Sequence, residues 1–418
     1  MSDAAAETGN GRWEELAIEA GRVFSPSAPI DKRSLFAGRD AQIRALIDAI
    51  NQKGQHAIVY GERGVGKTSL ANVLASFLGK QAGPIIAPRV NCDALDTYSK
   101  VWRKAFDRIE LQRPATKIRL NAPLQQETFK ATELVGDGDF GPDDVRRVLA
   151  FLGKTTMPIV IIDEFDRLTP ERRRPFADTI KTLSDYAINA TVVLVGVAEN
   201  VDELIGEHES VERALVQVRM PRMSTEEIER IVDTGLKKLE MRIRPEALAR
   251  ITLLSQGLPH YTHLIALHAA RAALEERTLE ITDEILDRAI EKAIVGAQQS
   301  ISTAWHQAVG SARKDSLFGD VLLACALAER DQQNTFAPQD VRGPIREITG
   351  RAYNVESFAP RLNAFCEPAR GSILQRTGRA RRYRYRFSNP LMQPFVIMQG
   401  FRSGKIKPSL LPRGRVAP

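Results

Sequence analysis

Three continuously apolar, β-branched runs mark the first half of the chain: Ala57–Tyr60, Pro158–Ile162 and Thr191–Val197. Runs of this kind are expected to be buried on both faces of a parallel sheet. Between them the apolar residues recur at three- and four-residue spacing, the helical period. A further strand is expected over 84–90, with helices from Thr68, around 95–110 and over 143–152. This βα rhythm predicts an α/β fold with a parallel, doubly wound sheet and a ligand at the strand carboxyl ends. Residues 113–144 are polar and interrupted by Pro and Gly, and are expected to form a mobile excursion.

After Ser224 the period becomes helical throughout. Ser224 and Glu227 form a capping box that opens one helix, and amphipathic helices are expected over Tyr261–Ala273 and Asp283–Val295. His263 and His268 lie five apart, which does not place two metal ligands on one helix face. Residues 310–401 resemble a winged helix: helices over 317–328, from 337 and over 355–366, then strands 372–376 and 383–387 about a turn at 377–380. In the last strand period two puts Tyr383, Tyr385 and Phe387 on one face and Arg384 and Arg386 on the other. At the amino end, residues 1–12 are expected to be disordered and 13–23 to form a short helix.

Composition narrows the class. Of 418 residues, 43% are hydrophobic and 27% charged, the balance of an ordinary soluble globular protein. No run reaches the roughly eighteen apolar residues of a membrane span, and the amino terminus lacks the regions of a signal peptide. Cys92, Cys325 and Cys366 are far apart and odd in number, which suggests neither a disulfide framework nor a zinc site. A cytoplasmic location without membrane contact is the expectation. The net charge of +7 is unevenly placed: ten arginines, two lysines and no acid lie between Pro368 and Pro418. That asymmetry points to a polyanion partner for this segment.

The chemistry concentrates at Gly61-Glu62-Arg63-Gly64-Val65-Gly66-Lys67-Thr68, set between a strand and a helix. This is the GxxxxGK[ST] phosphate-binding loop in its required context. Gly61, Gly64 and Gly66 let backbone N–H groups wrap a phosphate at the helix N-terminus, where Ser69 also lies. Lys67 reaches the β- and γ-phosphates, and the Thr68 hydroxyl holds Mg²⁺. The apolar strand at 158–163 ends in Asp163-Glu164. Asp163 is placed to hold Mg²⁺ and Glu164 to polarise an attacking water. A solvated acidic turn after a core strand is the plainer alternative. ATP with Mg²⁺ is the expected ligand, and no guanine-reading NKxD run is present.

These residues carry a family resemblance over roughly residues 30–295. Leu35-Phe36-Ala37-Gly38-Arg39 resembles the F-x-GR element of AAA+ ATPases, which implies that Phe36 and Arg39 lie near adenine. Asp163-Glu164-Phe165-Asp166-Arg167-Leu168 resembles the DE-x-D-x-L form of origin-recognition initiator ATPases, and the chain as a whole resembles these and transposition-regulator ATPases. The resemblance implies a sensor-1 residue at Asn200, with Glu199 the neighbouring alternative, and an arginine finger at Arg213. Gly257-Leu258-Pro259-His260 resembles the start of a lid. There Pro259 and His260 fall at the sensor-2 position, where many members have arginine. The GxP pattern is also similar to that of STAND signalling ATPases, and histidine is a weaker phosphate partner than arginine. His260 is therefore either a phosphate contact or an ordinary lid residue.

The expected organisation is an extension (1–29), an AAA+ P-loop domain (30–222), a helical lid (223–298), a winged helix (310–401) and a basic tail (402–418). The expected function is a slow ATP-hydrolysing switch that binds DNA through Arg376, Arg379, Arg381, Arg382, Arg384 and Arg386. Five neutralised phosphates would make that binding fall about 500-fold between roughly 50 and 200 mM salt. An arginine finger acting in trans implies a homo-oligomer. The alternative is a STAND-like signalling or defence ATPase whose winged helix contacts a protein.

Overall fold

The computed structural model describes residues 3–26, 38–78, 85–114, 126–206, 209–310, 317–331, 333–379 and 382–406. The chain packs into two compact units, one of residues 29–62 and 66–221, the other of residues 1–28, 63–65 and 222–418. Phe36, Arg381 and residues 407–418 of the basic tail lie outside the described residues.

The first unit is an α/β layer structure. Its strands are β1 (His56–Gly61), β2 (Ile85–Ile86), β3 (Arg89–Asn91), β4 (Glu110–Pro114), β5 (Gln126–Lys130), β6 (Met157–Asp163), β7 (Thr191–Val197) and β8 (Leu215–Arg219). The main sheet runs β2-β6-β7-β1-β8, with β3 also paired to β6, and every pairing in it is parallel. Pro158 to Asp163 and Thr191 to Val195 are buried, as their unbroken apolar sequence predicts. The expected strand over 84–90 is divided into β2 and β3 by Ala87-Pro88, where proline offers no N–H to a ladder. Tyr98, Trp102 and Phe106 of helix Tyr98–Phe106 anchor the core with Phe165 and Phe176, Tyr98 meeting Phe176 edge-on at 4.9 Å.

The polar excursion has more structure than expected. β4 and β5 form an antiparallel hairpin, with Arg113 stacked 4.9 Å from the Phe129 ring. Residues 115–125 between them lie outside the described residues. β8 was not anticipated, because its exposed Gln217 and Arg219 interrupt the apolar signal.

One buried group in this sheet sets an acid limit on stability. His56 is fully buried, its Nδ1 accepts the Val192 N–H at 3.0 Å, and burial lowers its pKa to about 4. A histidine held neutral in the fold and titrating near 6.5 when unfolded stabilises the fold fully above pH 6.5. That contribution is lost as pH falls from 6.5 towards 4, by up to roughly 3 kcal/mol. Urea unfolding of the wild type should show this fall. His56→Asn, which keeps an acceptor for Val192 but cannot charge, should flatten it.

The second unit is almost entirely helical. Helix Asp3–Val23 starts well before the expected Trp13 and ends on the buried residues Ala20 and Val23, followed by the buried Phe24. Alanine and glutamate near its start favour helix over the disorder expected there. Helices Thr225–Lys238, Pro245–Ser255, Pro259–Glu275 and Asp283–Val295 follow, with a short parallel pair, β9 (Arg242–Ile243) and β10 (Glu280–Ile281). Ser224 accepts the Glu227 N–H and Glu227 accepts the Ser224 N–H, completing the capping box.

Its last part contains helices Phe318–Leu327, Arg342–Thr349, Val355–Ala364 and Met392–Arg402. An antiparallel hairpin joins β11 (Leu374–Thr377) to β12 (Arg384–Phe387), and Phe336 bridges Tyr385 on the other side. Tyr385 and Phe387 are buried while Arg384 and Arg386 are half-exposed, the alternation that period two requires. Among the described residues no helix is long and apolar enough to cross a membrane.

Candidate nucleotide site

β1 delivers Gly61 to the carboxyl edge of the sheet, and helix Lys67–Leu78 leaves from the same edge. Gly61 has φ 152°, and a Cβ there would lie 2.4 Å from the Met220 carbonyl oxygen. Gly64 and Gly66 also have positive φ, 90° and 95°. These backbone angles are what glycine alone adopts without cost, and they free amides to face an anion. Lys67 is buried and its Nζ donates to the Gly61 and Glu62 carbonyls at 2.9 and 2.7 Å. The ammonium is thus held in its own loop, where a phosphate would exchange with those carbonyls. Thr68 and Ser69 occupy the first helical turn and are half-buried.

Asp163 closes β6 at the same edge and is buried. Its Oδ2 accepts from Arg89 Nη2 at 2.7 Å and its Oδ1 from the Glu164 N–H at 2.8 Å. Glu164 sits at φ 55°, with its carboxylate half-exposed and paired to Arg167 at 2.9 Å. Asp166 ties this turn to β7 by accepting the Val197 N–H at 2.7 Å. Neither Arg89 nor Asp166 was singled out from sequence. Asp166 carried a signal, as the third acid of the DE-x-D run, whereas Arg89 became visible only through strand order. The glycine loop, the helix N-terminus and the oxygen donors of Thr68 and Asp163 fit a Mg²⁺-bound polyphosphate. Among the described residues no group of three His, Cys, Asp or Glu could hold a metal. A cation here would therefore take most of its ligands from phosphate and water.

Other expected site residues are dispersed. Asn200 lies three residues beyond β7, exposed, and its Oδ1 accepts the Glu203 N–H of helix Asp202–Ile205 at 3.0 Å. Arg213 is exposed just before β8, whose Leu215 pairs with His56, the first residue of β1. It therefore stands at the amino end of the sheet, one strand length, about 17 Å, from the phosphate loop edge. Arg39 is buried, at φ 66°, and donates to the Pro221 carbonyl at 2.6 Å.

In the helical unit, Gly257 has φ 72° and a Cβ would lie 2.8 Å from the Met223 carbonyl oxygen. Pro259 begins helix Pro259–Glu275, where its missing N–H costs nothing. His260 Nδ1 lies 2.8 Å from the Pro26 carbonyl oxygen, so that nitrogen carries the proton. Burial lowers the His260 pKa, opposed by the Pro26 contact and assisted by the Arg63 guanidinium. These contacts engage His260 Nδ1 within the helical unit.

The basic hairpin is less free than its composition suggests. Arg384 pairs with Asp331 at 2.8 Å and donates to the Thr335 carbonyl at 2.9 Å, so the arginines are not without a counter-acid. Arg376 donates to Asn363 at 2.9 Å and stacks 4.3 Å from the Tyr383 ring, and Arg386 donates to Gln375 at 2.8 Å. Arg379 and Arg382 are exposed at the turn. Asn363 and Arg361, on helix Val355–Ala364, bond within their own module.

Comparison with known proteins agrees with this geometry. Residues 35–195 match the family model of the AAA ATPase domain. The structure is similar to that of a Walker-type ATPase of Pyrococcus abyssi, with 14% identity, 90% of this chain and 99% of that one covered, and a TM-score of 0.51. Matches also include the ORC2 protein of Aeropyrum pernix (13% identity, 92% and 98% covered, TM-score 0.47). Cdc6p of Pyrobaculum aerophilum matches at 15% identity, 93% and 99% coverage, and a TM-score of 0.45. Residues 35–195 are thus similar to the AAA ATPase domain, and the chain is built on the parallel-sheet fold of P-loop ATPases.

Proposed function

We propose that the protein binds ATP with Mg²⁺, hydrolyses it slowly as a single chain, and binds DNA through its C-terminal module according to nucleotide state. The observation that carries the nucleotide part is one sheet edge holding a glycine loop with a buried lysine and a buried aspartate. Lys67 exchanges its two loop carbonyls for the β- and γ-phosphates, and Thr68 and Asp163 hold Mg²⁺. Bound Mg²⁺ supplies charge neutralisation on the phosphate oxygens. Glu164, turned from Arg167, orients the water. Arg213 stands too far from its own loop to act there, so its contribution is made in trans within an assembly.

For DNA, the support is the acid-free basic segment and the exposed Arg379 and Arg382 at the hairpin turn. The order helix, bridging residue, two helices and hairpin supports reading this module as a winged helix. With Arg384 neutralised by Asp331, four arginines among the described residues remain for phosphates (Arg376, Arg379, Arg382 and Arg386). The expected loss of affinity is then about 150-fold between roughly 50 and 200 mM salt. Anisotropy of labelled duplex DNA with ATP or ADP checks this. Steep salt dependence with a difference between nucleotides supports the reading, and no binding at about 50 mM salt removes it.

The second reading is a STAND-like ATPase whose C-terminal module contacts a protein. It is favoured by the Gly257-Leu258-Pro259 turn and by a histidine, bound to the Pro26 carbonyl, where a sensor arginine would stand.

A further inference from the structure

The contact between Arg89 and Asp163 has no role in the site as read so far. β3 lies beside β6 with Asn91 opposite Asp163 and Arg89 opposite Ile161. Residues two apart on a strand share a face, so the Arg89 side chain runs up that face to the carboxylate at the strand end. The Asp163 side chain is 3% exposed and that of Arg89 22%. A carboxylate this deep requires a counter-charge, and Arg89 provides it. With the Glu164 N–H on the other oxygen, both carboxylate oxygens are engaged.

The guanidinium is not locked in place. Its side-chain hydrogen bond runs through Nη2, while Nε is buried without a partner. A side chain held through one arm can withdraw at the loss of one ion pair, and its unpaired Nε gains by moving. The same carboxylate is the one assigned above to Mg²⁺.

We propose that Arg89 is a positioning residue that competes with Mg²⁺ for Asp163 and makes Mg²⁺ binding a displacement, setting the Mg²⁺ concentration at which nucleotide is held. This rests on the assignment of Asp163 to the metal. A resident cation beside the carboxylate opposes an incoming divalent ion and is withdrawn as that ion arrives. Loss of the positive charge, not of the hydrogen bond, is what lowers the threshold.

The experiment titrates Mg²⁺ into full-length protein with a fluorescent ATP analogue and reads bound nucleotide, with thermal melting as a check on folding. Arg89→Gln keeps a donor for Asp163 without the charge and should lower the half-saturating Mg²⁺ by about tenfold, the size of one partly screened charge interaction. Arg89→Lys keeps the charge and should stay within about threefold of wild type on the same grounds. An unchanged or raised threshold in Arg89→Gln, or an equal shift in both variants, overturns the proposal. Should Arg89→Gln fail to fold, a tenfold fall in Arg89→Lys overturns it and a retained threshold supports it. Asp163→Asn separates the two levels of the argument. If it leaves the wild-type Mg²⁺ requirement intact, Asp163 is not the metal carboxylate and the proposal falls with that assignment. If wild type binds no labelled nucleotide at any Mg²⁺ concentration, the nucleotide reading itself fails.

Discussion

Lys67→Ala is expected to weaken nucleotide binding by about two to four orders of magnitude, since it removes two charge-assisted hydrogen bonds of roughly 1.5–3 kcal/mol each. The ammonium is already drawn into the loop, bonded to the Gly61 and Glu62 carbonyls and nearly inaccessible to solvent. A phosphate arriving there meets a positioned cation and so incurs little ordering cost. Removing the amine also leaves the two carbonyls without that donor, so loop stability and phosphate affinity fall together. Titration of a fluorescent ATP analogue, with a melting curve on the same sample, separates them. A folded variant with undiminished affinity would place the phosphates elsewhere.

The second large effect is expected at Glu164. Glu164→Gln should retain ATP while turnover falls by about 10²–10⁴, the usual contribution of a general base. The change conserves shape, and the Asp163 contact to this residue comes from the backbone N–H, which it leaves intact. The carboxylate pairs with Arg167 across one turn and is half-exposed, so moving to a water costs an exposed ion pair, about 0.2–1 kcal/mol. Single-turnover hydrolysis measured beside binding decides the matter. Normal turnover in Glu164→Gln would transfer the base role to another group, and lost binding would make Glu164 a structural residue.

The local chemistry was legible because it is written in contiguous residues. The glycine loop announces itself by spacing, and the buried runs of β6 and β7 by lacking any polar interruption. The Ser224 and Glu227 cap is a four-residue pattern, and the alternation of β12 is a period of two. Each depends on backbone geometry within a few residues, which chain order carries directly.

Features that the sequence left unseen had weaker local signals or depended on neighbours remote in sequence. Pro88 divides a strand that hydrophobicity alone joined, and Asp331 neutralises Arg384 from fifty-three positions away. His260 is occupied by the carbonyl of Pro26, 234 residues earlier. Arg213, named as a finger from its place in the chain, gained its meaning when β8 paired in parallel with β1 and set it at the edge remote from the loop.

By itself the sequence determined a phosphate loop between strand and helix, a buried carboxylate-ended strand and a basic hairpin, since propensity, periodicity and motif spacing act over short distances. Tertiary structure alone decided which charges meet. Arg89 and Asp163 are 74 residues apart, and they touch because β3 pairs with β6 in one register. Strand order and register arise from the packing of the whole sheet, and a slip of one residue would turn Arg89 to the opposite face.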